Sequence, residues 1–275
     1  MASKYALKSI QPLTLIFLRF LFASLILGIL HFRQTRAPLL PGDRWKLSLI
    51  SLIVPGLYFL AETYGLKFSS ATSVSLLIST IPVFASLLAY FILGERVGLW
   101  RGAGIALSMA GVGAILTSGE GSAPAGKIIQ AGNLLGLAAA VCAGLYMALG
   151  RDLLSRYSPR VITTFQAFFT AALFFPLAAW EQAGSPWPEV NAFTLLAVLY
   201  LALFCSVLAF FLWNYGISRL EASKAAVFTN LAPVFTVLGA TAFLGERILP
   251  AQIIGGILVI GGVSLASATR SRVPG

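Results

Sequence analysis

Two side chains in this sequence carry charge where charge is rare. Arg19 lies in an apolar run from 12 to 32, and Glu62 lies well inside another from 45 to 68. Read as membrane helices that meet the same face, these runs place Arg19 seven residues and Glu62 six residues from that face. At about 1.5 Å per residue, each sits roughly 10 Å deep. A charge at such depth costs a few kcal/mol or more and is tolerated where it faces a bundle interior or a wet cavity. Two chemistries fit. Arg19 and Glu62 form a static ion pair that locks two helices together, or they meet the charged end of a substrate, with Glu62 able to carry a coupling proton.

Polar and aromatic groups cluster near two prolines. Pro82 falls at the centre of an apolar run over 71–93, and Pro233 near the centre of one over 223–244. A mid-helix proline removes a backbone donor and frees the carbonyl four residues earlier, here that of Ile78 and Thr229, which predicts a kink at midplane depth. Beside these kinks stand Ser79 and Thr80 in one run and Thr229 and Asn230 in the other. The hydroxyls either bond back to their own helix or line a pathway. The Asn230 amide needs several partners when buried and is read as pathway-lining. Tyr58, Phe59, Tyr64, Phe211, Trp213 and Tyr215 either pack against core and lipid or stack on apolar parts of an organic ligand. The expected pathway set is therefore Arg19, Glu62, Tyr64, Ser79, Thr80, Trp213, Tyr215, Thr229 and Asn230, with Pro82 and Pro233 as kinks.

Other chemistries find no support in the sequence. There is no His-Glu-x-x-His pair, no phosphate-cradling glycine loop ending in Lys-Ser or Lys-Thr, and a single histidine, His31, at the end of a span. Cys142 and Cys205 each sit inside apolar runs and read as small packing residues. No catalytic residue, metal or cofactor is expected. The net charge of +10 resides in short loops between apolar runs, which argues against a nucleic-acid surface.

The elements that position these groups follow from composition. Hydrophobic residues make up 58% of the 275 and charged residues 10%, with apolar runs reaching the roughly 20 residues needed to cross a bilayer. The expected fold class is an all-α membrane protein with spans near 12–32, 45–68, 71–93, 99–117, 132–150, 161–180, 192–218, 223–244 and 249–268. Trp45, Trp100, Trp180 and Trp187 fall at span ends as interface anchors. The stretch from Tyr64 to Val112 occurs twice, the second time from Tyr215 to Val263 at a constant offset of 151. Over those 49 positions 16 are identical, where so biased a composition gives roughly four by chance. Earlier in each half the offset is 147, pairing Pro12 with Pro159 and Arg19 with Gln166. The first half then lacks a counterpart of Ala131 to Met147, and a ten-span natural product is expected.

Thirteen of the 19 Lys and Arg fall on one alternating set of loops, which the positive-inside rule makes cytoplasmic, along with the C-terminus. Five spans per half put the second copy upside down in the membrane, the inverted-repeat plan of secondary transporters. Gly102, Gly104, Gly111 and Gly113, with Gly255, Gly256, Gly261 and Gly262, are expected to let two spans approach closely. The Gly-Glu-Arg turns read as a helix stop followed by an acid at the positive end of the next helix.

Pro12 with Arg19, Tyr64-Gly65, Pro82-Val83-Phe84, Gly94-Glu95-Arg96, and Gly104 with Gly111-Val112 resemble the EamA family of the drug/metabolite transporter superfamily, once in each half. The resemblance implies ten helices in two inverted five-helix repeats, here 1–117 with its first helix truncated and 132–268. It further implies an inner-membrane exporter of small metabolites, commonly amino acids and their relatives, whose partners are the substrate, the lipid bilayer and, for coupling, protons. The competing readings are a membrane-embedded enzyme and a non-transporting membrane scaffold.

Overall fold

Within a bilayer no water is present to satisfy a free N–H or C=O, so an apolar chain crosses as helices whose backbone bonds close internally. A computed structural model of the chain follows that rule and describes residues 1–31, 40–94, 98–117, 124–184, 191–219 and 231–268. Its helices are α1 (Ala2–Ala6), α2 (Pro12–His31), α3 (Pro41–Ser51), α4 (Tyr58–Phe68), α5 (Ala71–Ile78), α6 (Ile81–Leu93), α7 (Leu99–Thr117), α8 (Pro124–Arg156), α9 (Pro159–Ala183), α10 (Ala192–Tyr200), α11 (Ala209–Arg219), α12 (Leu231–Leu244) and α13 (Pro250–Ala268). Two wider π-helical segments, π1 (Leu52–Leu57) and π2 (Leu201–Leu208), join α3 to α4 and α10 to α11. Among the described residues, eight stretches are long and apolar enough to span a bilayer. A ninth apolar helix, Ala232–Leu244, is shorter, and the expected start of its span at 223 lies outside the described residues.

Local chemistry sets the helix ends. Ser70, Ser158 and Asn191 sit in extended backbone before α5, α9 and α10, and each side chain accepts from an amide in the first turn. Gly94 and Gly245 end their helices at φ of +67° and +65°, the left-handed region open to glycine. The expected kink in the 71–93 span is a full break. α5 stops at Ile78, and α6 restarts at Ile81 with Pro82 in its first turn, where the missing N–H would have had no helical partner.

The chain forms two compact units, each drawing on both sequence repeats. One comprises 2–63 and 149–219; the other comprises 64–148, 220–275 and Met1. In the second unit α7 and α13 are equivalent helices of the two repeats and pack closely. A Cβ on Gly104 would lie 2.5 Å from the Ala266 nitrogen, and one on Gly111 would lie 2.6 Å from the Gly255 oxygen. Ser108 Oγ donates to the Val259 carbonyl at 3.3 Å. The contacts 104 to 266, 108 to 259 and 111 to 255 run in opposite directions along the two helices, so the pair is antiparallel. Position 108 corresponds to 259 at the offset of 151, so this hydrogen bond sits on a local two-fold axis. Equivalent helices that meet head to tail show that the two copies are inverted.

In the first unit α2 and α9 repeat the arrangement. Thr14 meets Glu181, the rings of Phe17 and Phe175 lie 5.6 Å apart, and Gly28 faces Phe168. As numbers rise along α2 they fall along α9. Around these pairs the apolar side chains close into cores, such as Leu76, Leu77, Val83, Val112, Ile115, Val259 and Val263 in the second unit. Of the eight glycines expected at a helix contact, Gly104, Gly111, Gly255 and Gly262 make it. Gly256 faces Leu76, whereas Gly102, Gly113 and Gly261 face open space.

Overpacking this seam should be costly. Gly104→Ala and Gly111→Ala are each expected to destabilise the detergent-solubilised protein by about 1–3 kcal/mol, with a lower melting temperature. Gly102→Ala and Gly113→Ala should leave it unchanged or slightly raised. Equal melting of the two sets would contradict the α7–α13 packing.

Candidate functional site

A helix that widens or breaks inside the membrane leaves backbone groups needing new partners, and the first unit supplies them from side chains. Val54 in π1, just before Pro55, departs from helical backbone at φ −138° and ψ 118°. Its carbonyl accepts from Gln166 Nε2 on α9 at 3.0 Å. Gln166 Oε1 accepts in turn from Asn214 Nδ2 at 3.2 Å, and that amide also donates to Thr163 Oγ1 at 2.9 Å. Gln166, Asn214 and Thr163 are all buried. One turn along α9, Thr170 carries the one buried side-chain polar atom without a hydrogen-bond partner among the described residues.

Arg19 occupies the equivalent place on α2. Its Nε donates to Ser206 Oγ in π2 at 2.6 Å, and its guanidinium stands 4.0 Å from the centroid of the Phe59 ring and 5.7 Å from that of Phe20. Phe59 itself packs on Phe20 at 5.2 Å, on Tyr58 at 4.9 Å and on Phe210 at 5.8 Å. Arg19 is 7% exposed. Glu62, Tyr58 and Cys205 are its electrostatic neighbours. The field of Glu62 therefore acts on Arg19, while no ion pair joins the two charges among the described residues.

The remaining candidates fall in other surroundings. The hydroxyls of Ser79 and Thr80, at the break between α5 and α6, donate back to the carbonyls of Leu76 and Leu77 at 2.6 Å each. Tyr64 lies 5.9 Å from the ring of Phe68. Trp213 is half-buried on α11. Tyr215 is 48% exposed and stacks on Phe211 at 6.3 Å. Pro233 is buried near the start of α12, while Thr229 and Asn230 lie outside the described residues. Cys142 and Cys205 are free thiols.

Two carboxylates serve a purpose the sequence did not announce. Glu246, of the second Gly-Glu-Arg, was expected at the start of the following helix, α13. It instead accepts from the Ala71 and Thr72 amides at 2.8 and 3.1 Å and from Thr72 Oγ1 at 3.0 Å, capping α5 in the other repeat. Glu181, at the end of α9, does the same for α2 through the Leu13 and Thr14 amides and Thr14 Oγ1. In both cases a carboxylate meets the positive end of a helix dipole and satisfies amides with no helical partner.

At the opposite end of the first unit, Tyr157 OH donates to Asp43 Oδ2 at 2.7 Å, and Arg156 reaches both Asp43 and Asp152. The bond to Asp43 holds the Tyr157 phenol above its ordinary pKa of 10.0. Its bond from Arg156 holds the Asp152 carboxyl below the usual range. Stability from the tyrosine is complete below pH about 10 and lost as pH rises through the raised value; that from the aspartate is lost as pH falls through the lowered one.

Sequence reasoning missed Gln166, Asn214, Thr163 and Ser206 as site residues. Gln166 had a signal, since it is the repeat equivalent of Arg19. Asn214 had a weaker one as a lone amide in an apolar span. Ser206 had none, because a serine in a membrane helix is satisfied by its own backbone.

A family model described as the EamA-like transporter family matches residues 1–117 and 130–268. An "uncharacterized transporter" of Archaeoglobus fulgidus is 32% identical over 98% of this chain and 92% of its own. The Bacillus subtilis transporter YetK is 32% identical over 90% and 75%. A "probable terminal-alkyne amino-acid exporter" of Streptantibioticus cattleyicolor is 30% identical over 86% and 76%. Among solved structures, one protein that is 24% identical shares the fold with a TM-score of 0.69, covering 98% of this chain and 94% of its own.

The inter-repeat cap is testable without a substrate. Glu246→Ala should lower stability by about 1–2 kcal/mol and speed hydrogen exchange at the Ala71 and Thr72 amides, while Glu246→Gln, which keeps one acceptor, should do less of both. Unchanged exchange in the alanine variant would refute the cap.

Proposed function

The chain belongs to the EamA-like transporter family, and from that premise we propose that it exports small amphipathic metabolites, amino acids or compounds like them, across the inner membrane by alternating access. Membership makes it a multi-pass membrane transporter whose two inverted repeats have nearly the same helical plan. Such a pair has two related shapes, one open to each side. The observation that carries the proposal is Arg19: a guanidinium buried in a span, beside the rings of Phe20 and Phe59 and within electrostatic reach of Glu62. A site that offers charge and aromatic surface together suits a ligand with one charged and one apolar end. The Streptantibioticus cattleyicolor relative named a "probable terminal-alkyne amino-acid exporter" supports the substrate class. Tyr64, Ser79, Thr80, Trp213, Tyr215, Thr229 and Asn230 are proposed as further pathway positions, with the prolines Pro82 and Pro233 as points of flexure. The C-terminus is proposed to be cytoplasmic, and Glu62 to carry the coupling proton.

Counterflow in proteoliposomes across a panel of radiolabelled amino acids and related metabolites should show saturable movement of at least one. None at all would sink the transport reading. Glu62→Gln should abolish the dependence of uptake on an imposed pH gradient; a variant with unchanged dependence would remove Glu62 from coupling.

A further inference from the structure

Where α6 ends and α7 begins, in the second unit, the polar side chains differ from those at the matching place in the other repeat. Arg101 lies in the first turn of α7. Its Nε and Nη2 donate to Ser86 Oγ on α6 at 3.2 and 2.9 Å, and Ser86 Oγ donates in turn to the Pro82 carbonyl at 2.8 Å. At the offset of 151, Arg101 corresponds to Gln252 and Ser86 to Val237. Gln252 is buried, and its amide is spent on Ser70 Oγ, Ser73 Oγ and the Leu249 N–H. The second copy thus fills this position with an uncharged side chain.

The charge of Arg101 is unmatched inside the protein. Among the described residues no carboxylate pairs with it, and the first turn of α7 contains no acid. A cation in that turn also opposes the helix dipole. The bonds to Ser86 hold the guanidinium by its Nε edge, and Nη1 donates to none of the described residues. Two further donors stand beside it. Trp100 is the preceding residue and is 64% exposed, and Tyr90 lies one turn beyond Ser86 on the same face of α6 and is 47% exposed. Neither the indole N–H nor the phenol makes a hydrogen bond among the described residues. Their repeat equivalents are Ala251 and Thr241, whose hydroxyl bonds back to the Val237 carbonyl. The whole set of Arg101, Trp100, Tyr90 and Ser86 is therefore absent from the second copy, so the repeated scaffold does not require it.

We infer that this set binds the phosphate of an anionic phospholipid. Both helices reach a span end here, the depth at which headgroups lie and at which Trp and Tyr anchor. Arg101 presents Nη1 and the outer N–H of Nη2 to the phosphate oxygens as a charge-assisted fork. Trp100 and Tyr90 donate to further headgroup oxygens, and the exposed Leu99 lies beside an acyl chain. A free phosphate would gain nothing from Leu99 or from the apolar faces of Trp100 and Tyr90. Through Ser86 the bound lipid is linked by hydrogen bonds to the Pro82 carbonyl, just after the break between α5 and α6.

The test uses the full chain in detergent, with native mass spectrometry to count retained lipid and thermal unfolding to read its effect. The probes are phosphatidylglycerol, phosphatidylcholine and sodium phosphate. Phosphatidylglycerol should bind the wild type about fivefold more tightly than phosphatidylcholine, the scale of one interfacial arginine contact, and should raise the melting temperature where sodium phosphate does not. Arg101→Gln, which matches position 252, should lose that preference. Trp100→Ala should weaken both lipids, and Lys46→Gln, at an exposed cation on α3, should keep the wild-type preference. Equal losses in Arg101→Gln and Lys46→Gln would assign the preference to overall positive charge and overturn the site. Sodium phosphate that stabilises as well as phosphatidylglycerol would overturn the lipid assignment, and a wild type that does not distinguish the two lipids overturns the proposal outright. If Arg101→Gln does not fold, Trp100→Ala decides, and unchanged binding of both lipids there overturns the proposal.

Discussion

A backbone carbonyl released from its helix inside a membrane has no water to turn to, and the bond from Gln166 to the Val54 oxygen shows how this chain meets that constraint. Several irregularities in the spans are met by side-chain partners. The break between α5 and α6 is closed by the hydroxyls of Ser79 and Thr80 on the preceding turn. The exposed amides of α2 and α5 are met by Glu181 and Glu246. The fold thus tolerates interrupted helices, and the Thr170 hydroxyl is the one buried side-chain polar atom left without a hydrogen-bond partner among the described residues.

The answers come largely from the opposite repeat. Glu246 belongs to the second copy and caps a helix of the first; Glu181 does likewise for α2. Gln166 and Arg19 each clasp the π segment of the other half. The glycine seam of α7 and α13 adds close backbone packing, the main source of helix association where lipid removes any hydrophobic drive between spans. Duplication followed by inversion therefore does more than double the number of helices. It makes each copy the source of the other's missing hydrogen-bond partners.

The two copies depart from that symmetry at particular positions. Gln166 bonds a backbone carbonyl of π1, whereas its repeat equivalent Arg19 bonds a serine hydroxyl of π2. At Glu62 and Trp213, and at Arg19 and Gln166, one copy carries a charge that the other lacks. The rings of Phe20 and Phe59 beside Arg19 lower the local dielectric and strengthen whatever electrostatic contact the guanidinium makes.

The sequence by itself determined the class of the protein and its plan. Apolar run length dictates spans, the constant offset between Tyr64-Gly65 and Tyr215-Gly216 reveals the duplication, and an odd number of spans per copy requires inversion. It also marked Arg19 and Glu62, because a charge in an apolar run stands out in one dimension. Only the tertiary structure decided the partners. That Glu246 caps α5 across 175 residues of chain, that Gln166 and Asn214 form one buried network, and that four of eight glycines lie in the seam all depend on which helix faces which. Sequence spacing fixes the face of a helix but not its neighbour, and hydrogen bonds over such separations are set by packing alone.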